Sequence, residues 1–528
     1  MSRVKFKNEK TVKKDEYLYP QIVCGIWVFL MLVVFPVFMH DAYFDVLNTK
    51  YMFCIVVDLA LIFFMGIWAA LHWKQFCEPF KKKLNALDIA MIALGAVYII
   101  ATLVSDYKEQ SFFGNEGRFG GMALYCLYVT SYLLVSRFWK FNKPTFRWFL
   151  LACLFVGIFG ITDFFKCDIF GYKLNIDDAT KAIFSSTIGN IDTLTSFLAI
   201  PMAYAGAMMI TTKEDRLSVI TYGVAFFILV WSVITARADN AYLGFIAYFG
   251  LMPFIAFKTR QGFRRYILEL GLLFSALTLT MIICRTNPEG VYVPSGVFTI
   301  LSSFSTAVFV AAAVFMIAGI GLCIWETKNG VSPDALMPSW VRWAWLAVVI
   351  LVGGAIIAIL VVANTNFEAL PDVLKNQSMI FVLNNQFGGG RGYTWMATMD
   401  IWKNNLPWYQ KLFGAGPETS GIYMINLKYD EMVAVTHLIF DSPHNEFLQM
   451  FFNLGIVGVI VYIGTFVTTI VMCLRNKASQ YYPYCVAIAF IVLCHMFECV
   501  VNIVVPIDCG LLFAFIALAG YFMQQREQ

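Results

Sequence analysis

Residues 446–473 spell EFLQMFFNLGIVGVIVYIGTFVTTIVMC, an apolar run whose only acidic or basic side chain is Glu446. About 20 such residues in a helix cross the hydrocarbon core of a bilayer. Similar runs recur along the chain, which is 60% hydrophobic and 14% charged over 528 residues. The alternating pattern of an outer-membrane barrel is missing, and lipid leaves the helix as the other spanning structure. The sequence therefore predicts an all-α polytopic membrane protein.

About fourteen membrane spans are predicted, separated by short polar turns and by one long polar loop. The predicted spans cover residues 21–39, 51–72, 86–104, 120–136, 146–165, 188–210, 218–235, 239–257, 266–284, 298–325, 341–363, 446–473, 481–503 and 506–523. These divide the chain into four parts. The parts are a basic tail (1–20), an N-terminal membrane region of about 11 helices (21–363), the long loop (364–445) and a C-terminal membrane region of about three helices (446–528).

Basic residues predict the orientation of these spans. Most lysines and arginines fall in the tail and in alternate turns, which the positive-inside rule assigns to the cytoplasm. Both termini are then cytoplasmic, and the long loop is extracytoplasmic. A loop of this length is either functional or disordered. Its aromatic content opposes disorder, and Tyr393 to Asn404 is expected to form a helix with Trp395, Met399 and Trp402 on one face.

Three side chains at the outer side are the strongest candidates for catalysis. His444 follows a Ser-Pro turn at the start of a span, and a neutral imidazole is a natural general base, although a histidine there can also simply cap a helix. Arg391 lies between glycines and suits a bidentate anion clamp, unless the glycines only provide flexibility. Arg237 occupies a very short outer turn, from which it can reach an anion at the membrane surface.

Further polar residues are expected near the outer leaflet, where they suggest a chamber beneath the loop. They are Arg118, Asp163, Asn190, Asp192, Asp239, His495, Glu498 and Asp508. Some of these pairs, such as His495 with Glu498, have an alternative role as ties between helices. The sequence offers no metal-like grouping of Cys and His and no phosphate-binding GxxxxGK[ST] loop, so we expect neither a metal nor another cofactor.

The loop resembles the O-antigen ligase and O-antigen polymerase superfamily. The order His444-Asn445, nine residues, Gly455, two residues, Gly458 is similar to that family's signature. Arg391 followed by a helix and then Leu412-Phe413-Gly414-Ala415-Gly416-Pro417 resembles the upstream part of the same domain. Gly189-Asn190 and Ala236-Arg237 resemble two further family positions. The likeness is specific over about residues 388–465, and it implies a GT-C-like membrane glycosyltransferase.

The resemblance implies transfer of a glycan from a polyprenyl (undecaprenyl) diphosphate carrier to an acceptor hydroxyl on the outer face of the bacterial cytoplasmic membrane, with inversion and without metal. The implied catalytic residues are His444, Arg391 and Arg237. The implied substrate-binding residues are Arg118, Asn190, Asn445, Glu446, Gly390 and Gly416. The acceptor, which is a glycolipid, a growing glycan or a protein, distinguishes a ligase from a polymerase or an oligosaccharyltransferase. A lipid-linked glycan transporter or a membrane scaffold are the non-enzymatic alternatives; no nucleic-acid partner is expected.

Overall fold

The computed structural model describes residues 16–174, 176–503 and 505–525, so most of the predicted basic tail lies outside the described residues. Helices account for nearly all of the regular structure. In chain order they are α1 (Leu18–Val37), α2 (Val46–Leu71), α3 (Trp73–Cys77), α4 (Ala86–Val104), α5 (Lys108–Phe113), α6 (Met122–Phe138), α7 (Lys143–Phe164), α8 (Asp178–Ile183), α9 (Ile191–Thr211), α10 (Arg216–Thr235), α11 (Ala241–Ala256), α12 (Arg260–Thr286), α13 (Val297–Ser303), α14 (Ser305–Lys328), α15 (Trp340–Thr365), α16 (Asp372–Lys375), α17 (Ser378–Phe381), α18 (Arg391–Asn404), α19 (Trp408–Phe413), α20 (Ser420–Thr436), α21 (Glu446–Arg475), α22 (Tyr482–Glu498) and α23 (Pro506–Gln524).

The predicted all-α polytopic membrane fold is confirmed. Within the described chain, eleven helices are long and apolar enough to cross a membrane, and each overlaps a predicted span. The three remaining predicted spans coincide with the shorter apolar helices α6, α11 and α22. A two-stranded hairpin pairs Phe184–Ser185 with Gly189–Asn190 in antiparallel register, Phe184 opposite Asn190.

Two helices form the centre of the bundle. Helices α9 and α23 are buried along their whole apolar length, and α9 packs against α10, α11 and α22. At the other extreme, α14 and α15 leave most of their surface exposed, as helices facing lipid do. Polar side chains begin several spans: Asn85 caps α4, Asn190 caps α9 and Asn445 caps α21 by accepting backbone N–H groups.

Helix α21 is broken at Gly455, whereas the sequence predicts an uninterrupted span. Gly455 has φ +72° and ψ −176°, a conformation that is essentially reserved for glycine. The break frees two carbonyl groups of α21 from helical hydrogen bonding. The N–H of Ala415 donates to the Phe452 carbonyl at 3.1 Å and the N–H of Gly416 donates to the Asn453 carbonyl at 3.0 Å. The Gly-Ala-Gly segment of the loop is therefore fixed into the kink of a membrane helix.

The long loop is a folded unit with its own small hydrophobic core. Eight buried side chains form this core: Tyr393, Ala397, Ile401, Leu406, Ala415, Met424, Met432 and Phe452. Helix α18 lies where the sequence predicts a helix, and its buried face is not the one that carries Trp395, Met399 and Trp402. Thr394, Ala397 and Thr398 are buried, whereas Met399 is exposed and Trp402 is only partly buried against Phe451.

Candidate active site

One cavity of about 820 Å³ opens between the loop and the membrane helices. Its polar lining includes four residues that the sequence analysis singled out: His444, Arg118, Asn190 and Asp192. The apolar lining comes from the segments that precede and follow the spans. It includes Phe44, Leu47, Phe119, Phe184, Ile188, Ile503, Val505 and Ile507. The cavity thus offers both charged groups and an extended apolar wall.

The segment that carries His444 is held on both sides by side-chain contacts. Arg118 forms a bidentate ion pair with Asp441, with Nε to Oδ2 at 3.0 Å and Nη2 to Oδ1 at 2.7 Å. The hydroxyl of Thr394 in α18 donates to the Pro443 carbonyl at 3.0 Å. Positive φ at His444 (+50°) then turns the chain into the Asn445 cap of α21. These contacts fix the position of the His444 backbone and therefore of its imidazole.

The imidazole of His444 lines the cavity, with the ring of Phe440 edge-on at a centroid distance of 5.5 Å. In the described part of the chain, no hydrogen bond to either ring nitrogen is found, so both nitrogens are available to a ligand. Burial, together with the nearby positive charges of Arg391 and Arg118, lowers the pKa of His444 from 6.5 to about 4, and Asp441 acts against this shift. The ring is therefore neutral at physiological pH and able to accept a proton.

Arg391 stands at the first position of α18 and faces the same chamber. Its Nη2 lies 3.6 Å from Oδ2 of Asp192, which lines the cavity, and its Nη1 donates to the Gly388 carbonyl at 2.7 Å. Its Nε is buried and has no hydrogen-bond partner among the described residues. The guanidinium therefore keeps donor capacity for an anion. Gly390, at φ +102°, allows this start of α18, because a Cβ there would lie 2.9 Å from the Phe440 ring.

The remaining residues of the predicted binding set have structural contacts in the described chain. Asn190 caps α9 and also lines the cavity, whereas Asn445 caps α21 through a bond from the Leu448 N–H at 3.0 Å. Gly416 is buried on α21 through its bond to Asn453. The structure thus brings His444, Arg118 and Asn190 to one cavity and Arg391 to its margin, and it places Gly416 in the packing behind them.

Residues 291–463, about a third of the chain, match the family model described as O-antigen ligase. The matched segment contains α13 to α20, His444 and the kinked first half of α21. The chain carries an O-antigen ligase domain. It is accordingly a membrane glycan-processing enzyme of the ligase or polymerase type. No curated protein matches the chain.

Arg237 lies outside the cavity that the ligase domain forms with the N-terminal helices. Its Nη2 donates to the Ala182 carbonyl, and its guanidinium lies over the Tyr292 ring, 4.7 Å from the centroid. The side chain does not line the cavity that contains His444. A short turn placed Arg237 at the expected end of the bundle, but the direction of the side chain depends on Tyr292, which is distant in sequence.

Glu446 also faces away from the cavity, into the helix bundle. Its carboxylate accepts hydrogen bonds from the hydroxyl of Tyr462 and, at 3.0 Å, from the thiol of Cys499, and it lies 3.4 Å from Nε2 of His495. The ligand atoms of Glu446, His495 and Cys499 lie within 4.8 Å of one another, a grouping that the sequence analysis missed and that has the donor types of a metal site. Because Glu446 is already satisfied by these donors, we interpret the cluster as a polar tie between α21 and α22. His495 therefore pairs with Glu446. The sequence suggested Glu498 as its partner instead.

Sequence analysis missed Glu418, which lies directly after the Gly416-Pro417 turn of the ligase domain. Its side chain is only 4% exposed and accepts a hydrogen bond from Nε2 of Gln449 at 3.3 Å. Burial raises the pKa of Glu418 to about 7, with the Asp441 carboxylate adding to the shift and Arg118 opposing it. The only sequence signal was an acidic residue after a Gly-Pro turn, which is ordinarily solvent-exposed.

Proposed function

We propose that the protein transfers a glycan from a polyprenyl diphosphate carrier to an acceptor hydroxyl at the extracytoplasmic face of the bacterial cytoplasmic membrane. The observation that carries this proposal is the mixed lining of the main cavity. A neutral histidine and Arg118 meet there beside an apolar wall, with Arg391 at the margin, and a lipid-linked diphosphate requires both kinds of surface. The volume of about 820 Å³ lies in the range of small-molecule sites.

In the proposed reaction, His444 removes the proton of the acceptor hydroxyl as the oxygen attacks the anomeric carbon. The bond between that carbon and the diphosphate oxygen breaks, and its electron pair leaves with the polyprenyl diphosphate. Arg391 and Arg118 neutralise the charge that develops on the leaving group, the part that a metal ion plays in other transferases. Attack from the face opposite the diphosphate inverts the anomeric centre.

Both arginines are already paired with carboxylates, Arg118 with Asp441 and Arg391 with Asp192. A diphosphate competes for the same guanidinium N–H groups, and it is the stronger ligand because it carries more charge and more acceptor oxygens. Pairing with carboxylates also keeps the two cations from repelling each other beside His444. The acceptor class, whether lipid core sugar, growing glycan or protein hydroxyl, is decided by surfaces beyond these contacts.

The test uses purified protein in lipid nanodiscs with a synthetic polyprenyl diphosphate oligosaccharide and candidate acceptors. We expect release of polyprenyl diphosphate together with a glycosylated acceptor. His444→Ala should reduce turnover by at least about 10²-fold, the usual size of a general-base contribution, while donor affinity changes little. His437→Ala is the matched control, because His437 is an exposed histidine of the same loop. Intact donor appearing in the opposite leaflet without cleavage would identify a transporter instead.

A further inference from the structure

A second cavity, of about 270 Å³, lies beside the main cavity at the same end of the bundle. Three lysines, two aspartates and one tyrosine dominate its lining: Lys166, Lys173, Lys181, Asp163, Asp168 and Tyr292. None of these residues takes part in the proposed glycan transfer. Leu174 is the aliphatic side chain of the lining, so this cavity offers little surface to an acyl or prenyl chain.

Both aspartates of this second cavity are engaged in holding the fold. Asp163 pairs with Nζ of Lys173 at 2.7 Å and accepts the backbone N–H of Ser186 at 2.7 Å. Asp168 accepts the backbone N–H groups of Tyr172 and Lys173 at 2.9 and 2.8 Å. Their negative charge is therefore directed at structural donors and at one lysine.

The cations that remain surround Tyr292. Nζ of Lys166 lies 5.3 Å from the ring centroid and the Arg237 guanidinium lies 4.7 Å from it. Lys166 otherwise donates to the Glu289 carbonyl at 2.6 Å, and Lys181 pairs with Asp178, a side chain that is almost fully exposed. An exposed ion pair of that kind contributes little and exchanges readily for a better anion.

Arg237 contributes unused hydrogen-bond donors to this group of cations. In the described part of the chain, its guanidinium makes one hydrogen bond, to the Ala182 carbonyl, and its Nε is buried without a partner. A guanidinium has five N–H donors in a fixed planar fork, which suits a carboxylate or phosphate group. Arg237 therefore adds positive charge beside the cavity, over the Tyr292 ring that lines it.

One hairpin residue separates the two cavities. Ser186 donates its N–H to Asp163 in the second cavity, and its carbonyl accepts the hydroxyl of Tyr43 at 2.9 Å. Tyr43 lines the main cavity. The two cavities therefore lie on either side of the hairpin, next to each other.

We propose that the second cavity binds a carboxylate group carried by a sugar of the glycan substrate. This inference rests on the proposed glycan transfer and makes its substrate class more specific: an anionic glycan whose acidic sugar pairs with Lys166 and Lys181. A neutral glycan cannot form this ion pair with the lysines of the second cavity. The small aliphatic surface of the cavity favours a sugar acid over a phospholipid.

The test measures direct binding of trigalacturonic acid to the full-length protein in phosphatidylcholine nanodiscs, with its uncharged methyl ester as the matched ligand. We expect the acid to bind and the ester to bind at least about tenfold more weakly, with affinity for the acid falling as salt is added. Lys166→Gln combined with Lys181→Gln should lower the affinity for the acid by a similar factor. Lys403→Gln, at an exposed lysine of α18, should leave it unchanged.

Several outcomes would overturn the proposal. They are equal affinity for acid and ester, unchanged binding by the double variant, displacement of the acid by inorganic pyrophosphate, and its displacement by phosphatidylglycerol in the nanodisc. The last two results would assign the cavity to the donor diphosphate or to a lipid headgroup. Because the measurement contains no lipid-linked donor, it is independent of transfer. Turnover of an uncharged lipid-linked glycan at the wild-type rate by the double variant would keep the two conclusions separate.

Discussion

The protonation state of His444 depends on its burial and on two arginines that are distant from it in sequence. Arg118 precedes it by more than 300 residues, and Arg391 begins another helix, yet both act with burial to hold the pKa of His444 near 4. In the proposed reaction, a bound diphosphate would offset their charge and raise the pKa of His444 in the complex. The proposed base would then be neutral when the donor arrives and more basic once the donor is bound.

The pH dependence of the transfer reaction follows from this shift. Protonation inactivates a general base, so kcat/KM, which reports the free enzyme, should stay level from pH 7 down to about pH 5 and fall near pH 4. The fall of kcat on the acid side should occur at a higher pH than that of kcat/KM, because kcat reports the complex, in which the bound diphosphate raises the pKa of His444. Arg391→Gln should move the pH at which kcat/KM falls toward 6.5, whereas His437→Ala should leave that pH unchanged. A wild-type kcat/KM that already falls at pH 6.5 would contradict the assigned pKa.

The pKa of Glu418 is raised, whereas that of His444 is lowered, and the raised pKa makes the stability of the protein depend on pH. Its pKa of about 7 in the folded protein lies above its ordinary value of 4.5, so the folded state binds the proton more tightly. Stability should therefore fall as pH rises from about 4.5 to 7, by at most about 3 kcal/mol. The Glu418→Gln variant should lack this loss, so its thermal midpoint in nanodiscs should rise relative to that of the wild type between pH 4.5 and pH 8. The exposed Glu431→Gln should retain the wild-type profile.

Helix α21 has three structural roles. Its first residues follow His444 directly, its broken turn receives the loop segment that contains Gly416, and its second half crosses the membrane. The sequence predicts the span because its apolar run is long enough. It does not predict the break, because a glycine inside an apolar helix is tolerated and Gly455 and Gly464 look alike by hydropathy. The spacing from His444 singles out Gly455, but only the packing of residues 412–416 shows that the helix breaks there.

Gly455→Ala should therefore destabilise the protein, whereas Gly464→Ala should not. A Cβ at Gly455 would lie 2.4 Å from the Leu412 backbone in a conformation closed to alanine, a strain of about 1–3 kcal/mol before any clash. A Cβ at Gly464 in the same helix meets nothing within 4 Å. We expect a lower thermal midpoint and at least tenfold lower transfer activity for the first variant only. Equal behaviour of the two would show that the loop does not depend on the kink.

At the scale of the whole molecule, the sequence predicted the helices far better than the site. Spans follow from hydrophobic length, which is a local property, and each of the fourteen predicted segments overlaps an apolar helix. The contacts of the site are not local. Arg118 meets Asp441, and Arg237 turns to Tyr292, because of how the helices pack, and no periodicity in the sequence specifies those pairs. His444 and Arg391 were found because of the turns beside them.

Native cysteines allow a test of the expected orientation. Cys167 is exposed at the end of the bundle that holds the main cavity, and Cys77 follows α2 at the opposite end. If the loop is extracytoplasmic, a membrane-impermeant maleimide should label Cys167 in intact cells, and Cys167→Ser should abolish that labelling. Cys77 should react only after the membrane is opened. Labelling of Cys77 in intact cells would reverse the orientation.

The exposed outer surface of α14 and α15 has an evolutionary consequence. Both helices expose most of their surface, α15 leads directly into the loop, and neither lines the main cavity. Two consecutive spans return the chain to the side from which it started. A lineage can therefore gain or lose such a pair without inverting the loop. Differences in the number of spans among related proteins should accordingly concentrate at these two helices.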